Sequence, residues 1–253
     1  MTREQLQPMA RFEAKQWSKV YDADRRDGIT FIFRRGAEVV LDTCLSISRP
    51  GEHWLDMGCG TGDLAAKISE AGRIVTGVDY DPAMLEHARG RFRDKSQSDR
   101  LKFIIADSEN LPFRSKRFDG VTATSLTGFL SRPEDFFWEA HRVLRRGGYA
   151  VITFTNRDSC LLKMNSFIRK MTFKSADSAG YIFSCRLYDI ASVTENFRGT
   201  GFKVVEVRYY NYFLNCGRWL FPPEACAMYF EKWKNFRIMR RLGRNFMILA
   251  QKT

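Results

Sequence analysis

The pattern of apolar positions changes period near residue 50. Before it the spacing is helical. Phe12, Trp17, Val20 and Tyr21 mark one segment, and Phe33, Ala37, Val40, Leu41 and Cys44 mark a second that ends at Pro50-Gly51. The charged stretch from Asp22 to Gly28 between them reads as a turn with the makings of a hinge. From His53 onward short apolar runs alternate with helical stretches. Strands are expected over 53–57, 73–79, 101–107, 118–125 and 149–155, with helices over 63–71, 82–93 and 133–146, the last stopped by Gly147-Gly148. Further on, 160–172 and 187–198 read as helices and 202–209 and 246–250 as strands. The stretch 210–244 between those two strands is aromatic and basic. Strands separated by helices imply right-handed parallel crossovers, hence one doubly wound α/β sheet of seven strands.

The chemistry begins at Leu55-Asp56-Met57-Gly58-Cys59-Gly60-Thr61-Gly62, where an apolar strand runs into three glycines before a helix. A turn without side chains lets a ligand lie against backbone N–H groups. Asp79 closes the second strand, 23 residues after Asp56. In a parallel sheet it stands beside the turn, where a carboxylate can accept both hydroxyls of a ribose. The glycines follow G-x-G-x-G rather than the G-x-G-x-x-G that cradles a pyrophosphate, so a nucleoside without phosphates is the better match. Asp107, after the third strand, can accept from an adenine amino group.

Composition narrows the class. Of 253 residues, 44% are hydrophobic and 28% charged, which suits one soluble globular domain. Aromatics reach 14%, enough to suggest an apolar pocket, a sticky surface or a generously packed core. A net charge of +12 favours anionic partners without choosing among nucleic acid, membrane surface and charged substrate. The six cysteines are scattered, with no C-x-x-C pair, so neither a metal site nor a disulfide framework is indicated. The start of the chain does not read as a signal peptide, and no run of apolar residues is long enough to span a bilayer, so a cytoplasmic location is expected.

Four blocks carry a resemblance. They are the glycine turn; Gly77-Val78-Asp79-Tyr80-Asp81-Pro82-Ala83-Met84-Leu85; Ala106-Asp107-Ser108-Glu109-Asn110-Leu111-Pro112-Phe113 leading to Phe118-Asp119-Gly120-Val121; and Arg142-Val143-Leu144-Arg145-Arg146-Gly147-Gly148. In this order they resemble the class I S-adenosylmethionine-dependent methyltransferases, especially the branch of ubiquinone and menaquinone C-methyltransferases. The resemblance implies a Rossmann-like methyltransferase sheet over 51–253 behind a helical cover at 1–50, with insertions 157–186 and 210–244 forming the acceptor-side lid. The cofactor implied is S-adenosyl-L-methionine, with S-adenosyl-L-homocysteine as product. Asp56 and the backbone at Gly58 and Gly60 would hold the methionine end, with Cys59 an ordinary occupant of the turn. Asp79 would take the ribose, Tyr80 and Met84 the adenine faces, and Asp107 with Ser108 the adenine edge. Ser125 would lie near the transferred methyl, and Tyr21 would close over the cofactor. The family usually has proline where Arg146 stands.

No catalytic base is nominated and no metal is expected: His53, His87 and His141 each read as structural. Aromatics at Tyr209, Tyr210, Tyr212, Phe213, Trp219 and Phe221 suggest a small apolar, aromatic or lipid-like acceptor. The basic stretch 230–244 reads as a lid helix over the substrate pocket, with a helix for peripheral membrane contact or nucleic acid as the alternative. Two rivals are an RNA methyltransferase using the basic surface and a non-catalytic binding protein on the same fold.

Overall fold

A computed structural model describes residues 28–93, 99–172, 185–212 and 239–253. Tyr21 and the first helical segment, the centre of each insertion, and the basic residues 230–238 lie outside these. The described chain runs α1 (Gly28–Ile47), β1 (His53–Met57), α2 (Asp63–Glu70), β2 (Ile74–Asp79), α3 (Pro82–Arg91), β3 (Leu101–Ile105), β4 (Phe118–Ala123), α4 (Pro133–Val143), β5 (Leu144–Thr155), α5 (Cys160–Thr172), α6 (Ile190–Gly199), β6 (Phe202–Tyr210), the short α7 (Met239–Leu242) and β7 (Asn245–Lys252). The strands form one sheet in the order β3-β2-β1-β4-β5-β7-β6. Order reverses between β1 and β4, which opens a crevice at their carboxyl ends.

The expected α/β sheet is present, with two differences. First, β7 runs antiparallel to both β5 and β6. The sheet is therefore mixed, and the beginning of β7 lies beside the ends of β5 and β6, with Asn245 opposite Thr155 and Tyr210. Second, Gly147-Gly148 does not stop α4. The helix ends at Val143 and β5 already begins at Leu144, so the glycine pair sits inside the strand. The β4–β5 register shifts between Phe118 and Gly120, and a Cβ on Gly148 would come within 2.8 Å of the Asp119 carbonyl. The glycines thus serve a bulge and a close backbone approach.

Each face of the sheet has its own core. On one, Val39, Val40 and Cys44 of α1 pack with Trp54, Leu64, Ile68, Leu85 and Leu249. The other is rich in rings: Phe137, Phe154 and Phe246 stack at 6.3 and 5.2 Å, and Phe197 meets Phe137 edge-on at 5.1 Å. Much of the aromatic excess is therefore core, each such ring contributing about 2–3 kcal/mol on burial. Tyr210 and Tyr212, expected to face an acceptor, are 2% and 1% exposed and belong to the interior. The excess at that end of β6 is explained by packing, where the periodicity alone could not distinguish a buried ring from a pocket wall.

Candidate active site

At the end of β1 the backbone takes positive φ at Gly58, Gly60 and Gly62, at 70°, 51° and 81°. The three glycines do different work. A Cβ at Gly62 would lie 2.7 Å from the Phe103 ring, and one at Gly58 2.7 Å from Leu126, so these two permit close packing. A Cβ at Gly60 would meet nothing within 4 Å. That space, open above bare backbone, is the part of the turn where a ligand can sit. Cys59 turns inward instead. Its N–H donates to the Val78 carbonyl at 2.9 Å, and its side chain occupies the place left by Gly77, whose added Cβ would fall 2.9 Å from the sulfur. Desolvation pushes its thiol well above the ordinary range, so it is a packing residue and no nucleophile.

Asp79 is the hinge pin of the turn. Its carboxylate accepts the Gly60 N–H at 2.8 Å and the Asp81 N–H at 3.0 Å. Two N–H groups leave lone pairs on both oxygens for other donors. Burial raises its pKa, and the two backbone donors work against that rise. Asp56, 2% exposed, accepts the Thr122 hydroxyl at 2.8 Å. Desolvation lifts its carboxyl to about 7 despite that bond, with the nearby Asp79 charge adding to the rise. A buried acid and a half-buried one at a bare turn form a site for a cationic, hydroxyl-bearing ligand.

The third strand end folds into a tight loop. The Glu109 N–H donates to Asp107 Oδ1 at 2.9 Å, and the Ala106 N–H to the Asp79 carbonyl at 3.0 Å, which ties the loop to β2. Asp107 is half-buried and Ser108 buried. Tyr80 and Ile105 each stand 51% exposed at neighbouring strand ends, while Met84 is buried in the first turn of α3. The helix is started there by Asp81, whose side chain accepts the Ala83 N–H at 2.9 Å, with Pro82 in the first turn. Exposed apolar surface beside Asp79 suits a flat ring. From outside, the Glu139–Arg142 pair clamps the loop. Glu139 accepts the Leu111 N–H at 2.6 Å, and Arg142 donates to the Phe113 and Leu111 carbonyls at 2.6 and 3.0 Å. Arg142 holds the Glu139 carboxyl below its usual range, although partial burial opposes this.

Ser125, beyond β4, has φ 58°, and its N–H donates to Thr153 Oγ1 at 2.9 Å. A non-glycine residue in that conformation is held there by its surroundings. It opens onto a cavity of about 70 Å³ lined among others by Ile32 and Phe33 of α1, Phe129, Thr153, Phe154, Leu162 of α5, Cys185 and Arg244. Leu126, next to Ser125, covers Gly58, so cavity and glycine turn adjoin. The structure thus brings Asp56, the glycines, Asp79, Tyr80, Met84, Asp107, Ser108 and Ser125 to one edge of the sheet. Reading the sequence missed Ile105, Leu126, Thr122, Thr153 and Arg244. The two threonines left a signal, being polar residues within apolar strands.

A model of the methyltransferase domain matches residues 55–152. The chain is 31% identical over 183 residues to the ubiquinone/menaquinone biosynthesis C-methyltransferase UbiE of Azotobacter vinelandii, covering 66% of this chain and 71% of that protein. This chain belongs to the class I S-adenosylmethionine-dependent methyltransferases. It is also 34% identical to the demethylmenaquinone methyltransferase of Symbiobacterium thermophilum, over 49% of this chain and 51% of that one. With this and another UbiE, from Pseudomonas fluorescens, the chain spans about half the length of the relative. Among solved structures, a SAM-dependent methyltransferase from Thermotoga maritima superposes with a TM-score of 0.66 at 17% identity, over 98% of this chain and 100% of that one. The magnesium protoporphyrin IX methyltransferase of Synechocystis gives 0.67 at 14%, over 94% of each. These two likenesses carry the fold. The methyltransferase cofactor fits the geometry: open space over Gly60, spare acceptor capacity on Asp79, and exposed apolar surface at Tyr80 and Ile105.

Among the described residues no cluster of His, Cys, Asp and Glu could hold a metal, and no helix is long and apolar enough to cross a membrane. His53 and His87 are exposed, and His141 packs edge-on against Phe202 at 5.2 Å; none lines the cavity.

Proposed function

We propose that this chain methylates a small apolar, aromatic or lipid-like acceptor held in the cavity below Ser125. The observation that carries this reading is the shared wall: Leu126 packs on the glycine turn, and Ser125, one residue earlier, lines the cavity. In this reading Asp79 holds the ribose hydroxyls, Tyr80, Ile105 and Met84 flank the adenine, and Asp107 with Ser108 meets its edge. Asp56 faces the cationic methionine end. When bound, S-adenosylmethionine supplies an electrophilic methyl group and leaves as S-adenosylhomocysteine.

The chain's own work is positioning. Thr153 and Ser125 fix the strand end, and Phe33, Phe129 and Phe154 keep water from the acceptor. Orientation of this kind is worth on the order of 7 to 11 kcal/mol in favourable cases. Among the described residues that line the cavity there is no Asp, Glu or His, which suits an acceptor that needs no dedicated protein base. The relatives' names refer to ubiquinone and menaquinone biosynthesis, which supports a ring-bearing acceptor with an apolar tail. The experiment is incubation of metabolite and lipid extracts with the chain and labelled S-adenosylmethionine. One labelled product in the organic phase is expected, and absence of label from every small molecule overturns the reading.

The +12 charge favours a second reading, RNA as acceptor. It predicts label in total RNA that falls steeply with salt.

A further inference from the structure

Helix α5 has an inner and an outer side, and only the inner one belongs to the site. There Leu162 lines the cavity, Ser159 is 0% and Asn165 2% exposed, and the Ser159 hydroxyl donates to the Leu242 carbonyl at 3.2 Å. On the outer side Cys160, Lys163, Met164 and Phe167 recur at three- and four-residue spacing and are all exposed. Met164 is 42% exposed, and Phe167, at 63%, is the most exposed large hydrophobic residue among the described ones. Single exposed apolar residues are ordinary. Two in one helical stripe, with the cavity wall on the other side of the same helix, form a surface that a partner can cover.

Charge indicates which partner. Asn156 Nδ2 donates to the Arg240 carbonyl at 3.0 Å, which holds α7 at the start of α5 with Arg240 and Arg241 exposed. Arg157 and Lys163 are exposed nearby, against Asp158 and Asp189, the second of which is paired with Arg157 at 2.6 Å. Among the described residues at this end cations outnumber acids, and the whole chain carries +12. Two side chains protruding from a convex helix supply only a fraction of the roughly 800 Å² per partner that a stable protein contact takes. A lipid surface needs no matching shape, only apolar side chains to insert and positive charge to meet its headgroups.

Resting on the acceptor reading given above for the contents of the cavity, we infer that the outer stripe of α5 docks on an anionic bilayer surface. Met164 and Phe167 enter the boundary between headgroups and acyl chains, and Lys163, Arg240 and Arg241 meet the headgroups. At about 70 Å³ the cavity encloses only a small part of a lipid-like acceptor, so the rest of that molecule lies outside it. Docking through α5 puts the bilayer one helix away from the cavity wall at Leu162, close enough for such an acceptor to be taken from the membrane.

The test is flotation of the full chain with vesicles of phosphatidylcholine alone and of phosphatidylcholine mixed with phosphatidylglycerol in equal parts. Partition into the mixed vesicles should be about tenfold or more stronger at low salt, and high salt should reduce the preference. Met164→Gln combined with Phe167→Gln should weaken partition into the mixed vesicles by about tenfold or more. Both side chains are exposed, so S-adenosylhomocysteine affinity and the unfolding midpoint should stay at their wild-type values. Lys163→Glu should weaken partition severalfold, and only into the mixed vesicles. Should the double variant not fold, Phe167→Gln alone is read in the same way. Absence of flotation with the mixed vesicles overturns the inference, as does flotation that the apolar substitutions leave unchanged. A dimer of the chain that those substitutions dissociate also overturns it, because a second copy is then the occupant. A labelled product in the organic phase from a chain that does not float removes this inference and leaves the acceptor reading. Flotation that depends on Phe167, without any methylated small molecule, does the reverse.

Discussion

At the ends of β1 and β2 the site is built from near neighbours in the chain: Asp56, Gly58, Gly60, Asp79 and Asp81 fall within one strand-turn-helix-strand unit and the turn after it, where Asp79 accepts the backbone N–H groups of Gly60 and Asp81. At the ends of β4 and β5 the cavity gathers residues from α1, the segment after β4, β5, α5 and the start of β7, from Ile32 to Asn245. The first region is a local motif whose geometry follows from glycine conformation and from the acids at its two strand ends. The second exists only once the whole sheet has formed. A chain can therefore keep a generic cofactor turn while its acceptor is decided by distant segments.

The sharpest way to break that contrast is Asp79→Ala. It removes the proposed ribose acceptor and strands the Gly60 and Asp81 N–H groups, so cofactor affinity should fall by about 3 kcal/mol, roughly a hundredfold. Calorimetric affinity equal to wild type would place the ribose elsewhere. The next effect is a pH dependence. The Asp56 carboxyl titrates at about 7 in the folded chain, above its ordinary value of 3.8. Its contribution to stability is therefore fully present below the unfolded pKa and is lost as pH rises through the folded one. The ligand-free chain should lose about 2 kcal/mol between about pH 5 and about pH 7, and Asp56→Asn should flatten the profile in denaturant unfolding. A cationic ligand group beside Asp56 should also release a proton on binding near pH 6, visible as buffer-dependent heat.

Smaller effects sharpen the difference between strain and ligand space. Gly51 and Gly60 both have positive φ, and neither has a heavy atom within 4 Å of an added Cβ. Gly51→Ala and Gly60→Ala should each cost about 1 kcal/mol of stability. Only Gly60→Ala should also weaken cofactor binding, by about tenfold. Equal cofactor affinity in both would mean that the space over Gly60 is mere solvent. Least of all, Glu139→Gln should cost about 1 kcal/mol or less, since the pair it breaks is partly solvated. Its cofactor affinity should drop severalfold through the loosened loop at Leu111.

The legibility of the sequence follows the same divide. Glycine spacing, Asp79 and the Asp107 block were readable because their physics is local: positive φ, caps and strand ends leave traces within a few residues. Arg244 left none, because its place at the cavity comes from the direction of β7, and a short apolar run reads alike in either direction. Gly147-Gly148 looked like a helix stop because the same residue type serves a bulge, and only the register with β4 separates the two. Tyr210 reads like a pocket wall for want of the α1 layer that buries it, and Tyr212 for want of the close packing against Gly243.

The most direct test of the account is a crystal structure of the chain with S-adenosylhomocysteine. The adenosyl group should lie over Gly60 with its ribose hydroxyls on Asp79, and the sulfur should open toward the cavity at Ser125. A ligand bound elsewhere, or a sulfur turned away from that cavity, would contradict it.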